Sequence, residues 1–324
     1  MLTPSQIIEA VRREPKVPAP PQAVFQVLEL TKDPECDIKR VAEVIGRDSG
    51  LTAQLFRQAN SALYGFSSPT SSVITACVRL GLKRVRTAVI NQHVVSGLGQ
   101  VQPPGFDARR YWQRTFAISV AAHDLCQELL PELAEEAGTA GLLCDIGVGL
   151  LAFGIPEIYA HVLSELLRSD DMNLIKIEEN LLHVTHAEVG AAVLKDWKLD
   201  QHMVDAVRSH HVDSLAPDSN GTAKFSKIVA AAVTLSHIAL GGSDMDKVAT
   251  LFAQVDNMTT DADALVARLL DQLVGNIQST AEVLSVELGP VDQMHANFDD
   301  LVRDMPDFGH HMSFHPMPRA STDL

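Results

Sequence analysis

The chain has 324 residues, of which 46% are hydrophobic and 21% are charged, and 41 acidic residues against 26 basic ones give a net charge of −15. This hydrophobic share allows a sizeable buried core and excludes wholesale disorder. The acidic balance disfavours broad nucleic-acid binding, which needs a basic surface for phosphates. No uninterrupted apolar run approaches the ~20 residues that cross a bilayer, so we expect no membrane contact.

Neither the N-terminal sequence nor the cysteines point to export. The residues after Met1 lack the basic and apolar regions of a signal peptide. The four cysteines are scattered and form no CxxC pair: Cys36, Cys77, Cys126 and Cys144. We therefore expect a reduced, cytoplasmic protein.

Helical periodicity runs through nearly the whole chain. Thr3 followed by Pro4 predicts a helix N-cap and a proline at the first helical position. The prolines within residues 17–21 interrupt the chain before a second apolar stripe begins at Val24. Asp37 is the expected cap of the next helix, whose apolar face is spaced i, i+3, i+4 and i+7: Ile38, Val41, Ala42 and Ile45.

The later chain continues the same pattern. A short turn is expected over Gly46 to Gly50, followed by a helix that ends near Asn60. Apolar rows at helical spacing continue to about Leu273, and no sustained apolar–polar alternation predicts a strand. The expected fold class is therefore all-α, a multi-helix bundle.

Turn-forming residues over 97–105 divide the chain. We expect an N-terminal helical unit over residues 1–97 and a larger helical unit over 106–285. A C-terminal extension over 286–324 is expected to be partly disordered. A Gly/Ser/Asp-rich stretch over 215–221 predicts a surface loop.

Four segments together carry a specific pattern. Residues 17–21 read VPAPP, 60–65 read NSALYG, 76–82 read ACVRLGL and 141–147 read GLLCDIG. In this order, over roughly residues 15–285, the chain closely resembles the HDOD family, the HD-related output domain of bacterial signalling proteins. The resemblance implies an all-helical fold, related to the HD phosphohydrolase superfamily, with residues 106–285 as its HD-like part and a mainly regulatory use.

The NSALYG segment has two interpretations. Asparagine tolerates the left-handed conformation, so Asn60 and Ser61 can close the preceding helix, while Tyr64 packs back on the bundle and Gly65 permits the next turn. The alternative is a contact surface for a partner. We favour the structural role.

The resemblance also implies a degenerate metal site. HD-superfamily hydrolases hold divalent metals with a first His, a His-Asp doublet, further His residues and a late Asp, and the metal acidifies a water that attacks a phosphoester. By resemblance, the first-His position falls on Arg114, the doublet reads Cys144-Asp145, and the late Asp position falls on His237. A guanidinium has no acceptor and cannot bind a metal.

A partial ligand set survives. By resemblance, His186, His210 and His211 match later ligands of HD-GYP-type enzymes, and with Asp145 they are the candidate metal ligands. Together with His237 and a Cys144 thiolate, this set could in principle bind zinc, iron or another divalent metal. The alternative, which we favour, is a pocket without metal. In that case His211 lies on a helical face with Val204 and Val207, His237 lies on a row with Val229 and Val233, and Cys144 acts as a small hydrophobe.

A buried carboxylate without a metal needs another cation or becomes protonated. We therefore predict that Arg114 pairs with Asp145 and takes the structural place of the metal.

Three functions remain open. The favoured one is a non-catalytic signalling module without a cofactor, which binds other signalling proteins or a small-molecule ligand. The second is a metal-dependent phosphohydrolase acting on a nucleotide or cyclic dinucleotide. The third is a nucleic-acid-binding regulator that uses the basic residues of 83–86, which we interpret instead as a helix face, so that no nucleic-acid partner is expected. The histidines of 310–315 are interpreted as part of a tail rather than a soft-metal site.

Overall fold

The computed structural model describes residues 2–33, 35–61, 68–98, 105–168, 173–211, 222–241, 244–290 and 294. Within these ranges the chain is helical and contains no strand, which confirms the all-α prediction. The helices are α1 (Pro4–Arg13), α2 (Gln22–Leu30), α3 (Ile38–Gly46), α4 (Ser49–Ala59), α5 (Val73–Leu98), α6 (Ala108–Leu129), α7 (Ala134–Leu143), α8 (Ile146–Gly154), α9 (Pro156–Arg168), α10 (Leu174–Leu182), α11 (His186–Asp196), α12 (Gln201–Ser209), α13 (Thr222–Gly241), α14 (Met245–Asp256) and α15 (Ala262–Leu284).

Local capping chemistry sets the first helix boundaries. Thr3 and Gln6 form a reciprocal capping box at the start of α1, and Asp37 accepts a hydrogen bond from Lys39 N at the start of α3, as predicted. The turn expected over 46–50 is shorter, because α3 includes Gly46 and Asp48 already caps α4 through Leu51 N.

The long segment α5 is broken once. Gly81 has φ +77° and ψ 163°, a conformation that favours glycine, so two helical pieces meet there. Gly97 lies inside the second piece, where a Cβ would come within 2.4 Å of the Pro18 side chain. The predicted break over 97–105 therefore begins only after Leu98, and residues 99–104 and the predicted loop over 215–221 lie outside the described residues.

The core of the C-terminal half is built around α6. This helix packs along α7 and α13 and also contacts α15. Helix α1 does not stay with its sequence neighbours. It packs on α8 and α11, with Ile7 and Val11 buried and Arg12 paired to Asp196 at 2.7 Å. The first helix thus ties the N-terminus to the C-terminal half.

Two stretches are long and apolar enough to cross a membrane by length and composition, Pro131–Gly154 and Ala223–Gly241. Neither stretch is an uninterrupted apolar run, so the sequence prediction did not include them. In the fold, 89% and 67% of the respective windows are buried, and the first is divided between α7 and α8 by a turn at Cys144 and Asp145. Both stretches lie mostly in the core, and a buried, largely apolar segment passes the same composition test as a membrane span.

His93 gives the fold a pH dependence. Burial lowers the pKa of His93 to about 4, and its ring lies 5.1 Å from the Trp197 ring. As the pH falls through about 6.5, the unfolded chain binds the proton first, so the free energy of unfolding declines until the pH nears 4. We expect His93 to account for about 2 kcal/mol between pH 7.5 and pH 5. Urea unfolding of wild type and His93→Gln at both pH values measures this, and equal pH slopes would contradict it.

Candidate functional site

The centre of the site is an ion pair between α6 and the turn that joins α7 to α8. Helices α6 and α7 approach closely, since a Cβ at Gly141 would lie 2.7 Å from Ile118 O, and Ser119 Oγ donates to Gly138 O at 2.7 Å. This packing places Arg114 Nε 2.5 Å from Asp145 Oδ2. The Arg114 side chain is 27% exposed and the Asp145 side chain 4%. The predicted pairing of Arg114 with Asp145 is therefore confirmed.

Three histidines converge on the other carboxylate oxygen. His186 Nε2 lies 3.5 Å and His210 Nε2 3.6 Å from Asp145 Oδ1. His186 Nε2 also lies 3.4 Å from His210 Nε2 and 3.1 Å from His211 Nε2. The four ligand atoms offered by these residues all lie within 4.8 Å of one another. The four candidate ligands predicted from the sequence thus meet at one point.

His186 begins α11, and its position depends on a close contact with α8. Thr185 and Glu188 form a capping box that fixes the first turn of α11. A Cβ on Gly147 would lie 1.9 Å from His186 O, so only glycine leaves room for the helix start. Gly190, one turn further along α11, faces Ile146 and Gly147.

The proton positions leave lone pairs facing each other. His210 Nδ1 lies 2.6 Å from Val207 O, and because a carbonyl only accepts hydrogen bonds, Nδ1 carries the proton. His186 Nδ1 lies 2.8 Å from Glu178 Oε2 and is protonated for the same reason. When both rings are neutral, both Nε2 atoms are acceptors, opposite Asp145 Oδ1, which has no hydrogen-bond partner among the described residues. A proton or a metal ion must neutralise this convergence.

Without a metal, the electrostatics favour a protonated His186 and neutral His210 and His211 near pH 7. Burial by itself would raise the pKa of Asp145, but the Arg114 guanidinium outweighs it and holds that pKa well below its usual range. Burial would lower the pKa of His186, but Glu178 and Asp145 outweigh it and raise the pKa to about 9. Burial lowers the pKa of His210 and His211, so both stay neutral near pH 7.

These four residues fit a single divalent cation. A tetrahedral site with metal–ligand bonds of about 2.0–2.1 Å sets neighbouring ligand atoms about 3.3 Å apart. Four of the six separations among the ligand atoms, 3.1, 3.4, 3.5 and 3.6 Å, are close to that spacing, and the other two are no longer than 4.8 Å. The unpartnered Oδ1 of Asp145 is the oxygen such an ion would satisfy.

Two other predicted pocket residues do not join the cluster. Cys144 is buried beside Asp145, but its sulfur is not among the ligand atoms that meet in the cluster, and burial raises the pKa of its thiol well above the usual value. His237 lies on α13 near Arg114, and burial followed by the Arg114 charge lowers its pKa to about 3. His211 was predicted on the same helical face as Val204 and Val207, but α12 ends at Ser209, and His211 turns back toward His186.

Glu178 also belongs to this site, although it is not among the residues predicted from the sequence. Its side chain is fully buried on α10, and it accepts hydrogen bonds from His186 N and His186 Nδ1, both at 2.8 Å, and from Tyr159 OH at 2.6 Å. A signal was present: Glu178 stands four residues after Leu174 and four before Leu182, on the inward face of the helix.

Asn60, the first residue of the NSALYG segment, acts through its side chain and not through a left-handed backbone turn. Asn60 ends α4 with φ −104°, outside the left-handed region that was predicted. Its carboxamide clamps Thr70, donating to Thr70 O at 3.0 Å and accepting from Thr70 N at 2.7 Å. Ser61 Oγ donates to Gln58 O. Tyr64 and Gly65 lie outside the described residues.

The basic residues of 83–86 are engaged within the chain. Lys83 Nζ donates to Glu132 O at 2.7 Å, and Arg84 pairs with Glu135 at 2.6 Å. Arg86 pairs with Asp200 at 2.7 Å. This cluster therefore serves contacts between α5 and the C-terminal half.

An all-helical bundle with an Asp/His pocket of this kind defines a protein of the HD type. The sequence profile of the HDOD domain matches residues 17–213, so the chain belongs to the HDOD domain family.

Solved structures share the fold. An HDOD domain protein of unknown function from Geobacter sulfurreducens is 22% identical, with a TM-score of 0.68 over 86% of this chain and 98% of that one. A provisionally named phosphohydrolase from Shewanella amazonensis SB2B is 24% identical, with a TM-score of 0.66 over 86% of this chain and 97% of that one.

A relative is also found by sequence. An uncharacterized protein of Treponema pallidum (strain Nichols) is 22% identical over 204 residues, which are 62% of this chain but 39% of that relative's length.

Proposed function

We propose that this protein is a non-catalytic signalling module whose HD pocket has become a single-cation structural site. The observation that carries the proposal is the partly buried contact between Arg114 Nε and Asp145 Oδ2 at 2.5 Å. It occupies one oxygen of the only carboxylate that the HD doublet retains. Signalling is the use that the family resemblance implies, and the scattered cysteines favour a cytoplasmic setting.

The ion pair opposes two-metal hydrolysis. In two-metal sites the ions lie about 3.5–4 Å apart and together clamp the attacking and leaving oxygens. Asp145 has one oxygen left for a cation, because Arg114 holds the other. The guanidinium also brings a fixed positive charge to the place where a second cation would lie, which makes a second ion costly.

The remaining ligands favour a closed site. Three imidazoles and one carboxylate complete the tetrahedral shell of zinc, and structural zinc sites are closed in this way, whereas catalytic ones keep a position for water. A zinc ion would tie α11 and the end of α12 to the turn before α8. The pattern in the sequence favours a pocket without metal, whereas the convergence of three ring nitrogens and Asp145 Oδ1 supports a cation that would replace the proton on His186.

Exposed apolar side chains support a protein partner. On α5 the Val78 side chain is 61% exposed and Ile74, one turn earlier, is 38% exposed. Contiguous apolar patches are typical of interaction surfaces, and these two residues stand one turn apart on the same helix. Another signalling protein is the partner class that we propose.

A metal-dependent phosphohydrolase acting on a nucleotide or cyclic dinucleotide is the second candidate. Iron takes six ligands and would keep open positions with the same four residues. The Arg114 side chain retains 27% of its exposure, and a guanidinium binds phosphate well.

Metal analysis combined with a hydrolysis screen separates these candidates. We expect one equivalent of zinc per chain, and no turnover of bis-p-nitrophenyl phosphate or cyclic dinucleotides above that of Asp145→Asn. Asp246→Asn, an exposed aspartate on α14, is the matched control. Turnover that is lost in Asp145→Asn and kept in Asp246→Asn would overturn the non-catalytic proposal in favour of the second candidate.

A further inference from the structure

We infer that Glu178 is a positioning residue, which holds the His186 ring so that its Nε2 lone pair points at Asp145 and the other two histidines. The inference rests on the single-cation site proposed above. It assigns a role to a buried carboxylate that contributes no atom to the cluster itself.

Every contact of Glu178 fixes its orientation. Oε2 accepts from both His186 N and His186 Nδ1 at 2.8 Å, and Oε1 accepts from Tyr159 OH at 2.6 Å. The side chains of Glu178 and Tyr159 are fully buried. A buried charge of this kind needs partners on both oxygens, and here both have them.

The two hydrogen bonds from His186 to Glu178 have different roles. The bond from His186 N satisfies a free donor in the first turn of α11, which is a structural role. The bond from Nδ1 selects the tautomer and the ring orientation, because a carboxylate can only accept this proton. The other nitrogen then carries the lone pair and becomes the better donor to a cation. The capping box of Thr185 and Glu188 already holds the backbone of this turn, which leaves Glu178 free to orient the ring.

Substitution of Glu178 by glutamine tests the role of the charge. The amide oxygen can still accept both His186 N–H groups, and the amide nitrogen can face Tyr159 OH, so the fold should persist. Outer-shell partners of metal-bound histidines typically contribute about 10–100-fold in affinity. We expect Glu178→Gln to weaken zinc binding about 10-fold in competition titrations of the full chain.

Tyr159→Phe is the matched control, because it removes the other hydrogen bond of Glu178 but leaves both bonds to His186. We expect Tyr159→Phe to change zinc affinity less than about threefold, well below the loss expected for Glu178→Gln. Equal affinity of Glu178→Gln and wild type, or equal losses in the two variants, would overturn the positioning role. A thermal melt of each variant confirms that it is folded.

A second readout needs no metal. In ¹⁵N-histidine-labelled wild type without metal, the Nδ1 proton of His186 should exchange slowly with solvent. It should stay so in Tyr159→Phe and become fast in Glu178→Leu. If wild type takes up no zinc, the single-cation proposal fails, and this proton still decides the role of Glu178. A fast-exchanging Nδ1 proton in wild type would overturn the positioning of the ring.

Discussion

Replacing Gly147 with alanine should unfold the protein or drive His186 out of the pocket. The added Cβ would lie 1.9 Å from His186 O and 2.7 Å from its carbonyl carbon. These are backbone atoms at the start of α11, so no side-chain rotation relieves the clash. Overpacking in a core costs about 1–3 kcal/mol when side chains can yield, and we expect a larger cost here. The measurement is urea unfolding followed by circular dichroism.

Gly149→Ala is the internal control for this experiment. Gly149 lies two residues further along α8, and its Cβ would come no nearer than 3.4 Å to the flexible Leu98 side chain. Alanine in a helix is favoured over glycine by about 1 kcal/mol, so we expect no loss of stability. A Gly147→Ala variant with the wild-type midpoint and intact metal binding would contradict the close packing of α8 on α11.

Asp145→Ala has the second large effect, a loss of about 3 kcal/mol of stability. The substitution leaves the Arg114 guanidinium without its partner and removes the carboxylate from the cluster. Breaking a buried pair by removing one member typically costs about 3–5 kcal/mol. The 27% exposure of Arg114 gives it some access to water, which places the value at the low end. Chemical unfolding of metal-free protein measures it.

A double-mutant cycle isolates the pair. Asp145→Leu and Arg114→Leu each leave one charged group without its partner, whereas the double variant removes both charges. Because replacing both members of a buried pair by apolar residues is often neutral, the double variant should be more stable than Asp145→Leu. Simple additivity of the two single effects would show that the groups are not coupled.

Features that depend on short sequence separation could be predicted from the sequence. The caps at Thr3 and Asp37 need only the residues of one helical turn, and both are present. The pairing of Arg114 with Asp145 could also be predicted, from the family pattern and from charge. The family pattern placed both residues at one pocket, and a buried carboxylate requires a cation.

Other features depend on tertiary contacts that no local pattern contains. The spacing of Glu178 to Leu174 and Leu182 indicates an inward helix face. Its burial against Tyr159 and His186 depends on tertiary contacts. His211 follows the helical spacing in the sequence, but α12 ends at Ser209, and the His211 ring contacts His186. Asn60 was expected to act through its backbone, and instead its side chain bridges ten residues to Thr70.

The path of α1 bears on how this protein should be subdivided. The region that matches the HDOD domain spans residues 17–213. It leaves out α1, which covers α8 with Ile7 and Val11, and α13, which lies along α6. An excised fragment with these limits would expose two apolar surfaces to water and should aggregate. The cooperative folding unit is therefore larger than the stretch that sequence similarity delimits, and truncations meant to yield a minimal domain should begin ahead of Pro4 and extend past α15.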